Sequence, residues 1–121
     1  AAALACIPEL TRLDVAGNAQ ARGAELIAGA HTWMAKHEIV GDVRGQGLMV
    51  ALELVTDRQS KTPADKDLTA KVGAATYEAG LMVRISGPNL ILSPPLVLTA
   101  DDVQVILSSL DAGLVAANAA A

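Results

Sequence analysis

The chain has 121 residues, a length that suits one domain with one buried core, and a net charge of −4 with both signs scattered along it. That balance argues against a nucleic-acid binder, which carries a basic patch or stripe, and against a polybasic membrane surface. Apolar residues make up 52% of the sequence, but Phe is absent and Trp and Tyr occur once each, so small aliphatics must build the core.

One cysteine excludes an intrachain disulfide and points to a cytoplasmic setting. Cys6 lies in an Ala/Leu/Ile run and reads as a buried structural thiol. No secretory leader is visible, and no apolar stretch approaches the roughly 18–20 residues that span a bilayer. The opening "AAALACI" looks like helix interior without a cap, as if cut from something longer.

Residues 2 to 13 are helical in composition, with Pro8 expected to kink or restart the helix. From about Leu13 to Lys36, Leu13, Ala16, Ala19, Ala24, Ile27, Ala30 and Met34 recur on approximately one face of a long helix. Gly17, Gly23 and Gly29 weaken its intrinsic propensity, so packing has to hold it. Val43 to Val55 is β-branched and apolar, with Gly45 and Gly47 marking a turn or bulge between two short strands. Thr56 to Asp67 is the most polar segment and reads as a surface loop. Pro63 and Asp65 introduce a helix from about Asp65 to Ala79, stopped by Gly80.

Leu81 to Ile85 and Leu90 to Leu92 read as a β-hairpin around "SGPN", ended by Pro94 and Pro95. Thr99 is the N-cap of a last helix from about Ala100 to Val115, with acids in its first turn. The order α-α-β-β-α-β-β-α describes an α+β two-layer domain spanning residues 1–121, with helices on one face of a small, mostly antiparallel sheet.

Most chemical groups have a plain structural reading. His31 and His37 are six apart on one helix, so they point to different sides and do not form a metal pair. "GQG" leads into a strand instead of opening a helix, which argues against a phosphate cradle. Arg44 could anchor a neighbouring acid such as Glu53, or hold loop carbonyls. Nothing places a base beside Ser86, Ser93 or Cys6. Lys36, Lys61, Lys66 and Lys71 sit in polar contexts, without the apolar surroundings that would depress a lysine pKa. Arg84 is the exception, because it interrupts the apolar run Leu81–Ile85. Its five donors need partners, either an internal acid or a ligand carboxylate, and the sequence pattern leaves both open.

"VGDVRGQGLMVALELV", "AGLMVR", "NLILSPPLVLTADDVQVILSSL" and the leading "AAALACI" stand in one order and spacing. Together, over roughly Ala1 to Leu114, they resemble the C-terminal small domain of class III pyridoxal-phosphate aminotransferases, the ω-transaminases. The resemblance implies a fragment of an enzyme that moves an amino group from an amine or ω-amino acid to a keto acid such as pyruvate. It also implies pyridoxal 5'-phosphate held mainly by a large domain lacking here, along with the Schiff-base lysine, and a homodimer as the full-length form. In the amine and β-alanine:pyruvate branch a mobile carboxylate-binding arginine stands where Arg84 stands. The ornithine branch has its arginine three residues before the Pro-Pro pair, where this chain has Ile91. Outside the resemblance, the chain could be a free-standing module binding a small acidic effector through Arg84, or a non-catalytic association domain.

Overall fold

The computed structural model describes residues 1–119 as four helices and five strands. Helix α1 (Ala2–Arg12) leads into α2 (Val15–Lys36). The break between them falls not at Pro8, through which α1 continues, but at Asp14. Asp14 takes a left-handed conformation (φ 45°), and its carboxylate accepts the Gly17 amide, capping α2. Cys6 is exposed, which corrects its reading as a buried thiol. The physical reason is that α1 buries none of its residues, leaving Leu4, Ile7 and Leu10 in solvent.

Strands β1 (Val40–Gln46) and β2 (Met49–Asp57) form a hairpin across a turn at Gly47, whose φ of 56° suits glycine. The polar segment after β2 is not all loop. Thr62–Pro63 forms β3 against the end of β2, with the Ala64 amide donating to the Leu54 carbonyl. Helix α3 (Lys66–Glu78) starts at an Asp65 cap and ends before Gly80 (φ 93°), as the sequence suggests. Leu81–Val83 lie outside any strand, so β4 is only Arg84–Ser86; β5 is Asn89–Leu92 and α4 is Ala100–Ala119.

The main sheet is antiparallel in the order β1-β2-β5-β4. Its period-two alternation separates the two faces. Val43, Leu52 and Leu90 lie in register and join Leu26, Trp33, Val103, Leu110 and Leu114 in one core with the helices. The fold is therefore α+β in two layers. The opposite face carries two polar or mixed rows across four strands: Asp42–Glu53–Asn89–Ser86 and Arg44–Ala51–Ile91–Arg84.

Small residues and polar pins set the helix layer. Gly113 of α4 lies against Thr76 of α3, and Ser109 Oγ donates to the Ala79 carbonyl at 2.9 Å. His37, buried at the C-terminus of α2, places Nε2 2.9 Å from Asp111 Oδ1 of α4. At the start of α4, Thr99 and Asp102 cap each other: Asp102 Oδ2 accepts the Thr99 amide and Thr99 Oγ1 accepts the Asp102 amide. No helix among the described residues is long and apolar enough to cross a membrane.

Candidate functional site

Two arginines share a row on the open sheet face, and their surroundings differ. Arg44 Nη1 donates to Asp42 at 2.9 Å and to Glu53 at 2.7 Å, and Nη2 donates to Asn89 Oδ1 at 2.8 Å. Asp42 and Glu53 hold its guanidinium even further above the usual arginine range. The sequence reading that paired Arg44 with Glu53 holds, and Asp42 and Asn89 join them.

Arg84, at the other end of that row, is exposed and has no carboxylate within ion-pair distance among the described residues. The internal ion pair, one of its two open readings, is therefore not formed. Beyond the Arg84–Ile91 pair, β4 and β5 no longer pair. A cavity of about 500 Å³ lies there, lined by Leu81–Arg84 on one side, Ile91–Pro95 on the other, and Ile106 of α4. Its lining is apolar apart from Arg84 and Ser93. Such a site suits a ligand with one carboxylate and a small apolar body.

The turn carrying Arg84's strand is short. Ser86 and Asn89 pair across Gly87–Pro88, and Gly87 has a φ of 58°, which a side chain would strain. Asn89 Nδ2 donates to the Ser86 carbonyl at 3.2 Å, and the Leu54 amide donates to the Pro88 carbonyl at 2.8 Å. Sequence reasoning missed Asn89; its place after Gly-Pro in a tight turn was the available signal.

The other candidates stay apart. Ser86, Ser93, Cys6 and the two histidines form no nucleophile–base pair among the described hydrogen bonds, and no group of three metal-ligating side chains occurs among the described residues. Lys36, Lys61, Lys66 and Lys71 are all exposed; Lys36 lies 3.5 Å from Asp111, and none lines the cavity. These residues do not fit a covalent cofactor site.

The chain is a small two-layer α+β domain with an exposed arginine beside an apolar cavity, and comparison with known proteins identifies its class. The family model "Aminotransferase class-III" matches residues 1–114, and the chain belongs to that family. It is 39% identical over 119 residues to the taurine–pyruvate aminotransferase of Bilophila wadsworthia, covering 92% of this chain and 26% of that protein. It is 36% identical over 104 residues to the hypotaurine/taurine–pyruvate aminotransferase of Paracoccus denitrificans, covering 80% of this chain and 23% of that one.

Among solved structures, an amine transaminase from an uncultivated Pseudomonas species, in its pyridoxal-phosphate-bound internal aldimine form, superposes with a TM-score of 0.91 at 37% identity. That match covers 94% of this chain and 26% of that one. An (S)-enantioselective ω-transaminase from Thermomicrobium roseum gives 0.87 at 30% identity, over 95% of this chain and 26% of that one. The chain thus spans about a quarter of the length of these relatives.

Proposed function

We propose that residues 1–121 are the small C-terminal domain of a pyridoxal-phosphate-dependent transaminase that moves an amino group from an amine or ω-amino acid to a keto acid such as pyruvate. The named activities of the two taurine-type relatives support the acceptor. In this reading the complete enzyme is a homodimer, which the family resemblance supports, and works in the cytoplasm, which the single cysteine supports. Pyridoxal phosphate, when bound by the large domain, supplies the electron sink. The lysines here contribute nothing to that, so this domain's part is to bind and orient.

The observation that carries the reading is the contrast within one row: Arg44 is paired with Asp42, Glu53 and Asn89, whereas Arg84, beside the cavity, has no carboxylate partner among the described residues. Arg84 donates to the carboxylate of the acid substrate through its planar fork, and the apolar lining takes the rest. A charge-assisted contact of this kind contributes roughly 1.5–3 kcal/mol, or about 10- to 150-fold in binding.

In the full-length enzyme, Arg84→Ala should raise the KM for pyruvate by about that factor and leave a carboxylate-free amine donor within about twofold. Equal losses for both substrates would overturn the assignment.

A further inference from the structure

We infer that Asn89 is the positioning residue for Arg84: its carboxamide ties the Arg84 strand to Arg44 and so fixes where the free guanidinium can reach. This rests on the carboxylate-binding reading of Arg84.

Strand β4 is three residues long and lies at the sheet edge, with β5 as its only strand partner among the described residues. Three backbone pairs leave such an edge free to fray. Asn89 adds a side-chain tether. Its Oδ1 accepts from Arg44 Nη2 at 2.8 Å while its Nδ2 donates to the Ser86 carbonyl at 3.2 Å. Arg44 is in turn held by Asp42 of β1 and Glu53 of β2. Glu53 stands directly opposite both Asp42 and Asn89 in the sheet register.

The result is one hydrogen-bonded line from Glu53 of β2 through Arg44 of β1 and Asn89 of β5 to the Ser86 carbonyl of β4, two residues from Arg84. Both carboxylates in it face Arg44, and neither forms an ion pair with Arg84. Asn is suited to the joint because it is neutral and offers an acceptor and a donor at once. A carboxylate there would lose the donor to Ser86, and an apolar residue would lose both contacts.

The test uses the full-length enzyme with pyruvate as acceptor and a carboxylate-free amine as donor. Losing both contacts of the tether by Asn89→Ala should raise the pyruvate KM about three- to tenfold, with the amine KM changed less than about twofold. In an Arg84→Ala background the same substitution should shift the pyruvate KM by less than about twofold, since the residue it positions is gone.

If Asn89→Ala does not fold, Asn89→Gln carries the same comparison, because it stays neutral but moves the carboxamide one methylene away from the Ser86 carbonyl and Arg44. A selective Arg84→Ala effect with no Asn89 effect overturns the positioning role alone. So does an Asn89 effect that is equal for both substrates or persists without Arg84. An Arg84→Ala variant with an unchanged pyruvate KM overturns both readings together.

Discussion

Gly23 and Gly29 lie six residues apart in α2, and the same substitution should be costly at the first and nearly neutral at the second. Changing either to Ala favours the helix by about 1 kcal/mol. At Gly23 the new Cβ would overlap the Gly47 carbonyl group and lie 2.7 Å from the Gly47 Cα. Those atoms belong to the turn that sets the β1–β2 register, with Gln46 opposite Met49 on either side of it. A backbone clash there sits at the upper end of the overpacking range, about 3 kcal/mol. The net expectation for Gly23→Ala is a loss of about 2 kcal/mol, or about 8 °C in Tm for a domain of this size.

At Gly29 the neighbours are the methyl ends of the half-buried Leu107, with Cδ2 at 2.8 Å. That side chain can turn at a cost of about 0.5–1.5 kcal/mol, so Gly29→Ala should be close to neutral. Thermal and urea unfolding of both variants, followed by circular dichroism, measures the difference directly. A Gly23→Ala protein as stable as Gly29→Ala would refute the argument that the β1–β2 turn is fixed against α2.

Three further outcomes follow from the same geometry. Hydrogen bonding to His37, helped by the nearby charge of Lys36, holds the Asp111 carboxyl below the usual aspartate range. Its stabilising contribution is therefore complete above the unfolded-state pKa and is lost as pH falls through the lower folded value. Asp111→Asn should remove that acid-side dependence below about pH 4, read by urea midpoints across pH. Thr99→Ala should cost about 1 kcal/mol by leaving the first turn of α4 uncapped, measured as a shift in the urea midpoint at constant m. Mixed with pyridoxal phosphate, the 121 residues should yield no single-site lysine adduct that survives gel filtration, which absorbance and peptide mapping would detect.

Much of the helix layer was legible because its signals are local. Asp65 and Gly80 bracket α3, and Thr99 with Asp102 starts α4, through contacts spanning a few residues. The hairpin around Gly87–Pro88 was legible for the same reason. Strand β3 was not, since two residues, one of them a proline, carry no alternation to read. Cys6 misled because apolar spacing reports a face that wants cover, not whether this chain supplies it. The His37–Asp111 contact joins positions 74 apart, and no pattern in either helix announces it. At the site, Arg84 was conspicuous as a charge among aliphatics, and family resemblance gave it a role. Its lack of an acid partner among the described residues, and the Asn89 tether, depend on cross-strand register.

The exposed state of α1 has a consequence for how the chain opens. An 11-residue helix with no buried side chain lies below the roughly 12–15 residues at which isolated helices become even marginal in water. Its amide protons should therefore exchange through local fraying that costs almost nothing. Those of α2 around Leu26, Ala30 and Trp33 wait for the core to come apart. Asp14 thus divides two adjoining helices into one that exchanges within the native state and one whose protection measures global stability.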